Sequence, residues 1–363
     1  MRRFFIDWKL ILPALIILII GLAAIFSSAP AIGLEQLIFT VISLVAFLIT
    51  ANFSYSSHQH LVKIYLIGSI ILLILPFVFG TLTRGTIRWI QIGSLTLQPS
   101  EIIKPFLIII FSYYLSQAKI TSKLKTISSY FSLLLVPAFL IFKQPDLGST
   151  LVIIAIWLGI LVASKLPFYG LTAIVFLSLF FTPLAWNYLK PYQQQRIASF
   201  INPYADPKAS GYHSIQSIIA VGSGGLFGRG LGHGPQSQLQ FLPERHTDFI
   251  FASLAEEGGL LGSLTLIIAF FFLLARLLII SQRAPDSFGQ LIGIGIFTLI
   301  FFQFTVNIGM NLGLLPITGI TLPLVSSGGS SLLAIAICLG LAHNLSRHAN
   351  IKNSVFLSEI YGS

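Results

Sequence analysis

Residues 241–280 read FLPERHTDFIFASLAEEGGLLGSLTLIIAFFFLLARLLII. Eight largely polar residues end at Asp248, and an apolar stretch then runs over 249–280, interrupted only by Glu256, Glu257 and Arg276. A membrane-crossing helix needs about 20 predominantly apolar residues, so this segment predicts a long span with a polar mouth. The rest of the chain agrees. Of its 363 residues, 55% are hydrophobic and 9% charged, with a mean hydropathy of +0.90. A soluble domain carries roughly 25% charged residues. That excludes a water-soluble globule, and with it disorder and nucleic-acid binding, because 31 Phe and 11 Tyr in a sparsely charged chain make no solvated basic groove.

Working outward, further apolar stretches cover about 10–26, 34–50, 61–79, 102–117, 127–142, 147–164, 166–186, 288–312 and 329–345. With 249–280 they predict an all-α integral membrane protein of about ten transmembrane helices, a single polytopic domain over 1–363. Residues 10–26 follow Arg2, Arg3 and Lys9 as a signal peptide's apolar core would, but the next apolar stretch comes so soon that we read a retained signal anchor. Cytoplasmic flanks carry excess Lys and Arg. With the N-terminus inside, Arg2, Arg3, Lys9, Lys63, Lys119, Lys123, Lys125, Lys165, Arg276, Arg283, Arg347 and Lys352 all fall inside, twelve of the chain's 21 cations. The expected topology is N-in, C-in, in a plasma membrane whose anionic headgroups attract that charge. The remaining cations, among them Arg84, Arg88, Lys104, Lys143, Arg196 and Arg245, fall near a polar motif or near two long outward segments, 80–100 and 187–247. Loops of that length are usually functional or disordered. The second contains an apolar patch, Ile215 to Val221, and is expected to fold partly against the membrane.

Ionisable residues within a membrane are costly and mark function. Four places stand out, all at outer helix ends. In Gln98-Pro99-Ser100-Glu101-Ile102-Ile103-Lys104, Pro99 suits a first helical turn, and Glu101 and Lys104 share a face at i and i+3. They form either a structural ion pair or a cation for an anionic ligand, held in place by Glu101. In Lys143-Gln144-Pro145-Asp146-Leu147-Gly148, Asp146 sits where a helix N-cap belongs, and Lys143 could face an anion. The run Gly222 to Gly230 matches neither a P-loop nor a dinucleotide fingerprint and reads as a compact turn that permits close backbone approach. Finally, Asp248 opens the long helix, either as its N-cap or as a functional carboxylate. Glu244, Arg245, His246, Glu256 and Glu257 surround it, more ionisable groups than a cap requires. Ala252, Ala255, Gly259 and Gly262 form a small-residue stripe suited to close packing; Glu256 and Glu257 also read as a buried structural pair. Cys338, the only cysteine, reads as a small buried hydrophobe.

With these motifs in view, the sequence resembles the SEDS family of cell-wall polymerases, and its rod-shape or elongation branch rather than its division branch. The similarity rests on Arg88-Trp89-Ile90, the Gln98–Lys104 block, Gln144 to Gly148, Arg196, Asn202-Pro203 and Asp206-Pro207. It continues through Gly211-Tyr212-His213, Gln216-Ser217, Gly222 to Gly225, Gln236-Ser237-Gln238, Phe241 to Ala252, Leu322 to Ser326 and Gly328-Gly329-Ser330. Ser327 and Lys143 depart from the family pattern, and the tail beyond His348 lies outside it. The resemblance implies a peptidoglycan glycosyltransferase of ten helices, polymerising lipid II on the outer face of the bacterial plasma membrane during elongation. A class B penicillin-binding protein transpeptidase and other elongation-complex membrane proteins are its implied partners. It implies Asp248 as the essential acid and gives roles to Glu101, Lys104 and Asp146.

The chemistry needs one carboxylate to activate a sugar hydroxyl and several cations for a leaving diphosphate. Asp248 fits the general base; Lys104, Arg196, Arg88 and Arg245 are the candidate diphosphate contacts. No cofactor is required. A divalent cation could bridge the diphosphate, though no ligand cluster of recognisable spacing supports one. The rival reading is a lipid II flippase or other transporter, in which charged residues would continue through the membrane midplane. Here the inner halves of the spans are almost uncharged.

Overall fold

A computed structural model describes residues 6–83, 86–93, 95–117, 123–164, 191–205, 211–239, 241–242 and 244–361. The expected span 166–186, together with Arg84 and Asp206-Pro207, lies outside the described residues. The other nine apolar stretches are all helical. They form α1 (Trp8–Ser28), α2 (Pro30–Asn52), α3 (His58–Phe79), α4 (Pro99–Ser116), α5 (Lys123–Lys143), α6 (Leu147–Ala163), and, after the long outer segment, α10 (Ile250–Gln282), α11 (Ser287–Asn311) and α12 (Gly329–Tyr361). Among the described residues, α1, α2, α3 with its preceding turn, α10, α11 and the Gly329–Ala349 part of α12 are long and apolar enough to cross a membrane. Helix α4 is less apolar because its first turns carry Glu101 and Lys104, which the fold buries.

The exterior is inverted relative to a soluble protein: Ile19, Ile49, Ile64, Val78, Phe79 and Phe271 all stand exposed, as lipid-facing side chains must. Polar side chains turn inward instead, as where Asn344 Nδ2 donates to the Ala51 carbonyl and Gln144 Nε2 to that of Leu73. Trp157 of α6 is buried against Tyr130 of α5, the rings stacked 5.0 Å apart.

Two departures from the sequence reading concern the outer segments. Residues 80–100, expected as loop in an otherwise helical chain, form a small antiparallel sheet, β1 (Thr81–Thr83), β2 (Thr86–Ile92) and β3 (Leu95–Leu97), in the order β1-β2-β3. Thr86 to Trp89 alternate polar and apolar as a strand does, the β-branched Ile90 and Ile92 favour the same conformation, and Gly93, at φ 63°, makes the turn into β3. The described part of 187–247 forms α7 (Pro191–Ile201), α8 (Tyr212–Ser223) and the single turn α9 (Pro235–Gln238). The apolar patch lies on α8, whose Ala220 packs in a small core with Leu242, Phe249 and Ala252. Ser217 Oγ ties this helix to the Asn311 carbonyl at 2.9 Å.

Helix α10 is broken at Gly259, where φ is 63° and ψ −161°. The break severs the bonds that Leu260 and Leu261 would make to the carbonyls of Glu256 and Glu257. The glycine-rich run repairs it. Arg229 and Gly230 N–H donate to those two carbonyls at 3.0 Å each, while Leu260 and Leu261 N–H donate to the carbonyls of Gly225 and Leu226. Glycine is required for this contact, since a Cβ at Gly228 would lie 2.1 Å from the Glu257 carbonyl oxygen, and one at Gly224 2.0 Å from that of Ala255. The compact turn expected at 222–230 is thus stitched into the helix, and the small-residue stripe of α10 receives this turn.

Candidate active site

At the N-termini of α4 and α6, Asp146 is 3% exposed and caps α6 by accepting from Ser149 N–H at 3.1 Å. It also accepts from Gln98 Nε2 at 2.8 Å and Ser100 Oγ at 3.0 Å. Arg88 reaches down from β2, its Nη1 3.5 Å from Asp146 Oδ1, with the Arg88 side chain still 24% exposed. One turn along α4, Lys104 Nζ donates to Glu101 Oε1 at 2.5 Å, and the lysine is 1% exposed. Lys143 is exposed and lies over the Phe139 ring, 5.5 Å from its centroid.

The second cluster is built around residues 244–250. Phe249 occupies the N-cap position of α10 and no side chain of its own caps the helix. The cap comes from α11: Asn311 Oδ1 accepts from Ala252 N–H at 3.1 Å. Asn311 Nδ2 and Asn307 Nδ2 both donate to the Asp248 backbone carbonyl, at 3.0 and 3.1 Å. Thr247, the other capping candidate, turns its hydroxyl to Glu244 instead. The Asp248 backbone carbonyl is thus held by two amides of α11, and the residue itself is half-buried. Removing Asn311 would strip one buried acceptor and two donor contacts from this mouth. Asn311→Ala is expected to destabilise the protein by roughly 1–3 kcal/mol, measurable as a lowered unfolding midpoint in detergent.

The backbone at Thr318-Gly319-Ile320 joins the two clusters. A Cβ on Gly148, at the start of α6, would lie 2.9 Å from the Thr318 carbonyl oxygen. One on Gly319 would lie 3.5 Å from Asp248 Oδ2 and 3.9 Å from Arg196 Nη1. Gly319 has φ 74°. Any other residue there would be strained and would push into the space shared by the carboxylate and the guanidinium. Asn307 fixes this segment too, donating to the Ile320 carbonyl at 2.7 Å. The Leu322–Ser326 motif and Ser327 hold the residues before Asp248: Ser326 Oγ donates to the Thr247 carbonyl and Ser327 N–H to that of His246.

His213 of α8 stands beside this cluster, its ring 6.2 Å from that of Phe249. Burial pushes its pKa below the usual 6.5; the Arg196 charge lowers it further and Glu244 opposes the fall. Arg245 takes a different position from its neighbours. Its Nε and Nη2 donate to the Ser28 carbonyl at the end of α1, at 3.3 and 3.0 Å.

Glu256 and Glu257 are buried as expected, and each is satisfied by hydrogen-bond donors. Glu256 accepts from Gln236 N–H, Ser237 N–H and Ser237 Oγ; Glu257 accepts from Ser27 Oγ and Gly232 N–H. Together they hold α9 and the preceding turn on the bundle. Among the described residues, no group of three His, Cys, Asp or Glu is placed to hold a metal ion. Sequence reasoning missed Asn307 and Asn311, although two amides one turn apart in an apolar span are the kind of buried polar pair that needs a reason.

The family model described as "Cell cycle protein" (FTSW_RODA_SPOVE) matches residues 6–351. The chain belongs to this family. Within the FtsW/RodA/SpoVE family it is 41% identical over 280 residues to the peptidoglycan glycosyltransferase MrdB of Escherichia coli K12, covering 77% of this chain and 76% of that one. It is 31% identical to the peptidoglycan glycosyltransferase RodA of Treponema pallidum, with 92% and 96% covered. Among solved structures, a chain of a peptidoglycan synthase complex that coordinates polymerization and crosslinking superposes with a TM-score of 0.83 at 29% identity, with 94% and 98% covered. The rod shape determining protein RodA of Thermus thermophilus superposes with a TM-score of 0.71 at 27% identity, with 95% and 98% covered. The integral membrane, predominantly helical fold and the SEDS membership expected from sequence both hold.

Proposed function

We propose that this protein is a peptidoglycan glycosyltransferase of the elongation type, polymerising lipid II at the outer face of the plasma membrane with Asp248 as general base. One observation carries the assignment of the base. The Asp248 carboxylate and the Arg196 guanidinium both border Gly319, while the backbone beneath the carboxylate is pinned by Asn307 and Asn311. A sugar hydroxyl is a poor nucleophile near neutral pH. A fixed carboxylate accepts its proton as the hydroxyl oxygen attacks the donor's anomeric carbon. The bond from that carbon to the diphosphate oxygen breaks, and the diphosphate leaves with the electron pair. Inversion at carbon in one step requires no enzyme nucleophile.

Cations preorganised in a water-poor cleft stabilise the departing charge without reorganisation. Arg196 is the first candidate for this role by position, and Arg88, still partly exposed beside Asp146, the second. Lys104, Glu101 and Asp146 form the buried support on which Arg88 and the start of α4 rest. Arg245 supports the mouth from the α1 side through Ser28. The relatives named as peptidoglycan glycosyltransferases support the activity, and the likeness to a chain of a synthase complex supports a transpeptidase of the class B penicillin-binding type as partner.

Purified protein given lipid II in detergent, with no vesicle present, is expected to produce glycan strands resolvable by gel electrophoresis. Transport needs two compartments and polymerisation does not. Absence of product, with lipid II movement recovered in vesicles, would replace this reading by the flippase.

A further inference from the structure

A groove of about 850 Å³ runs between the first turns of α1 and the last turns of α10, far along both helices from Asp248. Its walls are Leu12, Ile16, Ile268, Phe272 and Ile279, all apolar, and its mouth carries Lys9, Arg276 and Arg283. One of these charges is already neutralised. Arg276 Nη2 lies 2.7 Å from Asp7 Oδ2, and Ser346 completes that buried pair. Lys9 and Arg283 are exposed and make no ion pair among the described residues. Trp8 stands 61% exposed at the same level, where an indole marks the membrane–water interface. Two exposed cations with no ion pair among the described residues thus sit at the open end of an apolar slot.

We propose that this groove is a binding site for an anionic phospholipid, with one acyl chain along α1 and α10 and the headgroup phosphate between Lys9 and Arg283. Basic pockets between transmembrane helices on the cytoplasmic side recognise acidic headgroups, each cation near the surface contributing about 1 kcal/mol. That is about fivefold per charge. Assigning the lipid to the inner leaflet rests on the N-in topology; the binding itself does not depend on it, nor on the polymerase activity. A neutral lipid would fill the slot but leave both cations without a partner.

Native mass spectrometry of the full chain in detergent, titrated separately with phosphatidylglycerol and phosphatidylcholine, tests this. The wild type is expected to retain phosphatidylglycerol roughly 10–30-fold better. Lys9→Ala with Arg283→Ala, both exposed and outside the polymerase site, should bring the two lipids to parity without lowering the unfolding midpoint in lipid-free detergent. Ala275→Trp, which fills the slot and keeps both charges, should lower retention of both lipids. Equal retention of the two lipids by the wild type, or an unchanged preference in the double variant, would overturn the proposal. The first result would leave an apolar seam suited to a neighbouring helix.

Discussion

Asp248→Asn is expected to leave a folded, membrane-inserted protein whose rate of lipid II polymerisation falls by about 10²–10⁴. The fold should survive because asparagine has the shape of aspartate and the backbone at 248 is held from α11. Its carbonyl is held by Asn307 and Asn311, and the first turn of α10 is capped by Asn311. An amide of the same shape keeps these backbone bonds and removes the charged proton acceptor. The check pairs a polymerisation assay with a thermal unfolding curve in the same detergent. Near-normal turnover would show that the base lies elsewhere; a collapsed unfolding midpoint would show that the carboxylate is structural.

Asp146→Ala should behave in the opposite way, with its main effect on stability. This buried carboxylate gathers Gln98, Ser100, the Ser149 N–H and the Arg88 guanidinium. Its removal leaves an amide, a hydroxyl and a partly buried cation without their acceptor, and takes the cap from α6. Removing one partner of a buried pair costs about 3–5 kcal/mol. A large fall in the unfolding midpoint is expected, while the protein that remains folded polymerises lipid II with a KM close to the wild type's. A wild-type midpoint with a raised KM would instead make Asp146 a direct substrate contact.

These two carboxylates show what could be read from the chain alone. Both sit in polar motifs at the outer ends of apolar stretches, so their placement at helix entrances was legible from hydropathy. Which of them caps a helix was not. Asp146 does, as its position after Pro145 suggested, whereas α10 takes its cap from Asn311, 59 residues after Ala252 in sequence. Local spacing carries no information about such a contact. The same limit hid the role of Arg245, which resembles the other cations in composition but spends its donors on the carbonyl of Ser28. The sheet at 81–97 was not legible because its strands are short and the polar–apolar alternation of β2 breaks at Trp89-Ile90. The helices themselves were plain, since burial in lipid demands long apolar runs that few other folds require.

The exchange of backbone bonds at Gly259 carries a mechanical consequence. Residues 225–230 hold both sides of a severed membrane helix, so lifting them away would break four backbone hydrogen bonds at once in a low-dielectric setting. Such a seam is no hinged flap. On the proposed function, a lipid-linked sugar would reach Asp248 by a route that leaves this splice closed.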